Sequence, residues 1–378
     1  MVETKRLGDI ATYINGYAFK PDDWCKEGLP IVRIQDLTGT SYQQNYYKGD
    51  YPAKIEINDG DVLISWSASL GVHIWDRGKA LLNQHIFKVV FDKVEVDKQY
   101  FVYAVQYNLE NMLSKMHGAT MKHIVKKDFD NIEVPFPTLV EQKRVASILA
   151  YAKDAIEDRK QQLTKLDNLV KSRFVEMFGD SDNKVTIGSI CDVSGGYSFK
   201  SEDISSKGCI KILQIGNVYL NDVNWETTNY LPDGFENKYS RFLLNEGDIV
   251  VALTRPIIQS LGNVKACIIK ATDTPCLLNQ RVGRIVPKKN VDVCLKFIYG
   301  CLMTDDFTRY VESCCIGCSQ PNISTKDIEN YMIPDVGYDK QKRFVEFITE
   351  VDKSKVAIQA ALDKTQLLFD SLMQEYFG

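Results

Sequence analysis

Two amide-bearing turns, Asn83-Gln84-His85 and Asn279-Gln280-Arg281, carry the most informative polar chemistry in the sequence. A side-chain amide offers a donor and an acceptor side by side, so it can pair bidentately with an adenine edge. The same amides can instead satisfy buried backbone groups, and spacing alone leaves both roles open. A second pair of segments is Ser65-Trp66-Ser67 against Ala252-Leu253-Thr254, the latter followed by Arg255. A third is Gly118-Ala119-Thr120-Met121-Lys122-His123 against Gly317-Cys318-Ser319-Gln320-Pro321-Asn322. Each pair keeps its frame and changes its side chains, which suits hydrogen-bond readout of two different surfaces. The candidate contact residues are therefore Ser67, Asn83, Gln84, His85, Thr120, Lys122 and His123, and Thr254, Arg255, Asn279, Gln280, Arg281, Ser319, Gln320 and Asn322. Lys20, Arg33, Lys200, Lys122, Lys126, Lys127 and Arg241 are candidate phosphate contacts. Any one of these cations can equally be a solvated surface charge.

Reaction chemistry is poorly represented. The sequence holds no Walker A motif, no H-E-x-x-H, no G-x-G-x-x-G loop and no G-x-S-x-G elbow. The one metal-like spacing is Cys315-Ile316-Gly317-Cys318, next to Cys314. A structural zinc needs four ligands, and no second C-x-x-C or spaced histidine pair supplies the rest. The positions matching that spacing in the first half are Met116 and Ala119, so these cysteines read as plain thiols. His73, His85, His117 and His123 all fall in the first half and have no counterparts later. No catalytic residue, no metal and no cofactor is expected on this chain.

The paired segments belong to a tandem duplication. Leu7-Gly8-Asp9-Ile10 with Gly16-Tyr17-Ala18-Phe19-Lys20 returns 180 residues later as Ile187-Gly188-Ser189-Ile190 with Gly196-Tyr197-Ser198-Phe199-Lys200. Ile57-Asn58-Asp59-Gly60-Asp61-Val62 returns as Leu244-Asn245-Glu246-Gly247-Asp248-Ile249. From Gly118 onward the offset is a constant 199. Across Glu141–Gly179 and Lys340–Gly378, ten of 39 positions are identical, including Gln142-Lys143-Arg144 with Gln341-Lys342-Arg343. The growth of the offset places insertions in the middle of the second copy.

Each copy divides into a globular part and a long helix. Residues 1–139 and 181–339 mix short β-type runs such as Val62-Leu63-Ile64 and Ile249-Val250-Val251 with helical stretches such as Tyr100–Met116, a mixed α/β pattern. Residues 140–180 and 340–378 read as helices. Their seams run Val145, Leu149, Ala152, Ile156, Arg159, Leu163, Leu166, Val170, Arg173, Met177 and Phe344, Ile348, Val351, Lys355, Ile358, Leu362, Thr365, Phe369, Leu372, Tyr376, with eight of ten positions apolar in each. A 38-residue helix would be about 57 Å long. Neither helix can bury its stripe alone, so pairing of the two within one chain is the simplest expectation. Pro135, Pro137 and Pro334 keep the globular parts from running into the helices, and Gly179 supplies a stop.

The composition, 44% hydrophobic and 25% charged, excludes global disorder, and the net charge of −4 excludes a polybasic chain. Residues 1–140 hold 16 Lys+Arg against 18 Asp+Glu, and 181–339 hold 16 against 19. Neither part is basic overall, so any nucleic-acid binding by the isolated chain through counterion release alone is expected to be weak, with cations gathered on one face of each part. No run of 18 apolar residues is present, and Met1–Lys5 leads into no apolar segment. A cytoplasmic location with reduced thiols, and no membrane, is expected.

The Leu-Gly-Asp-Ile start with Gly-Tyr-x-Phe-Lys, the Gly-Asp-Val/Ile block and the junction Asp128-Phe129-Asp130-Asn131-Ile132-Glu133-Val134-Pro135-Phe136-Pro137 followed by Glu141-Gln142-Lys143-Arg144 resemble the specificity subunits of type I restriction-modification systems. The junction recurs as Asp327–Pro334 with Lys340-Gln341-Lys342-Arg343. The second copy departs at Lys340, opposite Glu141, and has no match to Pro137. The resemblance spans the whole chain. It implies two target-recognition domains joined by two long antiparallel coiled-coil helices, together recognising a bipartite, asymmetric site on double-stranded DNA. It also implies a non-catalytic role. Two methyltransferase subunits would bring S-adenosylmethionine, and restriction/translocase subunits would bring ATP. The alternatives are a two-headed coiled-coil protein scaffold without DNA specificity, or the targeting subunit of a type II-like modification enzyme.

Overall fold

The computed structural model describes residues 3–41, 43–67, 69–115, 124–258, 261–315 and 320–378. The chain is mixed α/β and falls into two compact units, one holding residues 1–160 and 360–378, the other residues 161–359.

In the first unit, Thr12–Asn15, Ile86–Val90, Val62–Ser65 and Gly71–Ile74 form an antiparallel four-stranded sheet in that order. A second sheet runs Asn45–Tyr47, Leu29–Val32, Ala80–Leu82, Glu56–Ile57, with its central pair parallel. The second unit repeats the first sheet as Cys191–Gly195, Val282–Pro287, Ile249–Ala252, Ala266–Ile268. It repeats the second as Asn229–Leu231, Ile210–Leu213, Cys276–Leu278. A two-stranded ribbon closes each globular part, Thr4–Arg6 with Glu133–Pro135 and Lys184–Thr186 with Met332–Pro334.

The short all-apolar runs have a physical reason. Val62 and Ile64 enter one core while Leu63 enters another. Ile249 and Val251 likewise separate from Val250. A strand buried on both faces shows no apolar/polar alternation. The turn before each run needs its glycine, since Gly60 has φ +85° and Gly247 φ +91°. Asp61 and Asp248 close these turns by accepting from the Asn58 and Asn245 N–H groups at 2.8 and 2.9 Å. A cation lies against each carboxylate: Lys88 at 2.9 Å from Asp61 and Arg284 at 3.6 Å from Asp248. Lys88 also donates to the Glu56 carbonyl and Arg284 to the Leu243 carbonyl, at 2.8 and 2.9 Å. These two cations brace the fold.

The long helices run Leu139–Phe178 and Tyr338–Phe377, each unbroken over 40 residues. No seam position is exposed. In the first unit Val145 and Leu149 share a core with Phe369, Leu372, Met373 and Phe377, against Tyr100 and Tyr103 of the helix Lys98–Lys115. In the second unit Val170, Phe174 and Phe178 share a core with Phe344 and Ile348. The early half of one helix thus lies with the late half of the other in each unit, an antiparallel pairing. Two of the polar seam residues find partners nearby: Lys355 pairs with Asp167, and Thr365 donates to the Ala361 carbonyl at 2.8 Å. Gly179 follows the first helix without a left-handed φ, and its N–H still reaches the Val175 carbonyl at 2.7 Å.

The glutamine of each Gln-Lys-Arg run pins helix to globular part. Gln142 accepts from the Asp97 N–H at 3.0 Å and donates to the Pro137 carbonyl at 2.9 Å. Gln341 accepts from Cys294 N–H and donates to the Val336 carbonyl, both at 2.9 Å. Both side chains are buried, so their loss orphans backbone groups on each side. Gln341→Ala should lower stability by about 1–3 kcal/mol, read as a shifted urea midpoint; an unmoved midpoint would contradict the assignment.

Candidate nucleic-acid interface

In each unit the Gly-Tyr-x-Phe-Lys loop and the Asn-Gln turn form one structure. Tyr17 bridges Asn83 and Tyr197 bridges Asn279, both in parallel register. Each tyrosine N–H bonds the carbonyl just before the Asn, at Leu82 (2.8 Å) or Leu278 (2.9 Å). A Cβ on Gly16 would lie 2.1 Å from the Asn83 carbonyl oxygen, and one on Gly196 would lie 2.3 Å from that of Asn279. The motif glycine is therefore what lets the two segments touch. Tyr17 and Tyr197 remain 45% and 38% exposed, leaving an aromatic face beside each amide turn.

Within the first unit, Asn83, Gln84 and His85 are half-buried. Gln84 Nε2 contacts His85 Nε2 at 3.2 Å, and the His85 ring meets Trp66 edge-on with centroids 5.4 Å apart. Trp66 stacks on Phe87 and donates to Asn15 Oδ1 at 3.2 Å. Ser67 follows it, half-buried. The Ile124 N–H bonds the Trp66 carbonyl at 3.0 Å, which attaches the stretch after residue 123 to this turn. Thr120, Lys122 and His123 lie outside the described residues. His73, on the neighbouring strand, has its pKa lowered by burial and by the Arg77 charge.

The second unit shows its third segment more fully. Thr254 is buried and bridges Asn322, while the Arg255 N–H bonds the Pro321 carbonyl at 2.8 Å. Arg255 is exposed and holds φ +48°, a left-handed conformation a non-glycine residue adopts at a cost. Asn322 Nδ2 donates to the Gln320 carbonyl at 3.1 Å. The Leu253 N–H bonds the Arg281 carbonyl at 2.9 Å, so Arg281 joins this loop to the amide turn. Ser319 lies outside the described residues, as does Cys318. Asn279, Gln280 and Arg281 line an open cleft of about 650 Å³ whose other wall includes Gln214 and Asn229.

The candidate phosphate contacts divide. Lys20 is exposed and, among the described residues, forms no ion pair. Lys200 pairs with Glu202 at 3.2 Å and Lys126 with Asp130 at 2.6 Å, in both cases at the surface, where such pairs are weak and a phosphate can compete. Arg33 is committed inward: it donates to the Gln43 carbonyl at 2.7 Å and to Ser41 at 3.3 Å, and its charge lies 3.5 Å from Asp36. It braces a turn in this structure.

One matched block escaped the sequence reading. Ile31-Val32-Arg33-Ile34-Gln35-Asp36 corresponds to Ile212-Leu213-Gln214-Ile215-Gly216-Asn217. Asp36 Oδ2 accepts from Arg33 N–H at 2.8 Å as Asn217 Oδ1 accepts from Gln214 N–H at 2.9 Å. The strand after it starts with Asn45 in one unit and Asn229 in the other, each registered against the same isoleucine of the block. None of the nine described cysteines forms a disulfide, and burial pushes Cys191 and Cys276 up to about 12.

A family model described as Type I restriction modification DNA specificity domain matches residues 1–167 and again 181–366. The chain is 30% identical over 373 residues to the type I restriction enzyme MjaVIII specificity subunit of Methanocaldococcus jannaschii, covering 93% of this chain and 86% of that one. It is 20% identical over 411 residues to the EcoBI specificity subunit of Escherichia coli, covering 98% and 84%. Two solved structures share the fold. One is the type I restriction-modification S subunit from M. genitalium (TM-score 0.53, 16% identity, 100% of this chain and 96% of that one). The other is a chain from a study of complex assembly and conformational transition in the type I R-M system (TM-score 0.56, 15% identity, 99% and 97%).

Proposed function

Because the chain belongs to the type I restriction-modification DNA specificity family, we propose that its two units read the two unlike halves of a bipartite DNA site and so direct partner adenine methyltransferase and restriction subunits to it. The observation that carries this is the repeated loop-and-turn structure. Tyr17–Asn83 and Tyr197–Asn279 share one backbone arrangement, while the side chains around them differ, with His85 opposite Arg281 and Arg33 opposite Gln214. Equal frames with unequal polar side chains suit an asymmetric site. Phosphate contacts position such a reader and base contacts specify. Lys20, Lys122, Arg255 and Arg281 serve the first role; Gln84, His85, Gln280, Gln320 and Asn322 serve the second, together with Thr120, His123 and Ser319. Two methyltransferase subunits with S-adenosylmethionine, and ATP-driven restriction/translocase subunits, complete the complex.

Methylome sequencing of the host with and without this gene tests the proposal. A bipartite methyladenine motif should vanish on deletion, and its persistence would sink the idea. A scaffold without DNA specificity predicts no such motif. At the residue level, Asn322→Ala or Gln320→Ala should relax one half-site only, by about 1–3 kcal/mol per lost base contact. Equal loss at both halves would contradict separate readers.

A further inference from the structure

The second unit's cleft holds a preassembled pair of amides. Asn229 Nδ2 donates to Gln214 Oε1 at 2.7 Å, and both residues line the cleft. Asn217, only 1% exposed, fixes the turn beneath them: it accepts from Gln214 N–H and donates to the Asn224 carbonyl, both at 2.9 Å. A bonded amide pair uses one donor and one acceptor. It leaves an amide N–H and an amide oxygen available, here Gln214 Nε2 and Asn229 Oδ1. That complement matches adenine, which shows an acceptor at N7 and a donor at N6. Guanine shows two acceptors in the same groove, and cytosine a single donor.

The first unit lacks the pair. Arg33 occupies the Gln214 position and spends its guanidinium on Gln43 and Ser41. Asn45, the counterpart of Asn229, is 5% exposed. The connection between the turn and this asparagine is three residues longer in the second unit, from Asn217 to Asn229 against Asp36 to Asn45. An open pocket of about 280 Å³ lies by the first unit's turn, lined in part by Arg77.

We propose that the Gln214–Asn229 pair reads an A·T base pair in the half-site of the second unit, making these two residues specificity determinants. This rests on the DNA-reading function proposed above. The test uses the full chain assembled with its methyltransferase partner in the host, with the methylated motif read by methylome sequencing. Gln214→Ala should relax one A·T position of one half-site, with discrimination falling about 5- to 150-fold, and should leave the other half-site intact. Gln214→Glu, which exchanges a donor for an acceptor, should shift that position toward a pair presenting the cytosine N4 donor. Should Gln214→Ala abolish methylation altogether, Gln214→Glu decides: a single-position shift supports the inference and an unchanged motif overturns it. A change in the half-site that first-unit variants alter would overturn it as well. A wild-type chain without any bipartite motif would sink the underlying function, whereas an intact wild-type motif unmoved by either variant would sink this inference alone.

Discussion

Phe344→Ala is expected to cost the second unit about 3–5 kcal/mol, the range for emptying a large aromatic from a packed core. Phe344 is fully buried and stands 5.4 Å, centroid to centroid, from both Phe174 and Phe178. Phe178 in turn meets Phe297 at 5.0 Å, so the cluster ties both long helices to the helix Leu295–Leu302. Gly300 faces it closely: a Cβ there would sit 2.7 Å from the Phe344 ring, so the backbone is already at contact distance and cannot collapse into the void. Urea unfolding of the purified chain should show the loss in the transition of the second unit. A shift equivalent to less than about 1 kcal/mol would mean that the site repacks.

Gly196→Ala should be severely damaging at the interface. The new methyl would lie 2.3 Å from the carbonyl oxygens of both Leu278 and Asn279, and these are backbone atoms that cannot rotate away. Overpacking of this kind costs about 1–3 kcal/mol, occasionally more. The larger effect falls on function, because the loop must leave the amide turn and the Tyr197–Asn279 bridge opens. Methylation should lose its dependence on one half-site, and Gly16→Ala should do the same to the other. Gly337→Ala, where the methyl would meet nothing within 4 Å, serves as the neutral control. Retention of both half-sites in Gly196→Ala would contradict the role given to the loop.

The repeat, the two helices and the amide turns were legible because their constraints are local. Heptad spacing needs only an apolar stripe, and all twenty seam positions avoid exposure. Asn83 and Asn279 stood out because their turns repeat, but their attachment to Gly16 and Gly196 is non-local and left no mark in spacing. The Arg33/Gln214 block was missed for a related reason. Its flanking isoleucines match, yet the drift in offset and the exchange of the informative side chain hide the correspondence, and only strand register restores it. Arg33 shows the opposite limit: an arginine bound to its own turn and one facing a phosphate look alike in sequence. The cations Lys88 and Arg284, absent from the candidate residues, are matched across the copies because each closes an Asp turn.

The assignment of residues 360–378 to the first unit has a consequence for biosynthesis. Phe369, Leu372, Met373 and Phe377 complete a core whose other members, Leu7 to Leu149, emerge from the ribosome more than 200 residues earlier. At roughly 5–20 residues per second, the nascent first unit waits on the order of tens of seconds with Leu149, Tyr100 and Tyr103 uncovered. The second unit draws all its parts from one contiguous stretch and can close first. Chains that lack only residues 360–378 should therefore keep a folded second unit beside an open first one. Such a chain leaves the apolar surface that residues 360–378 cover open to proteases.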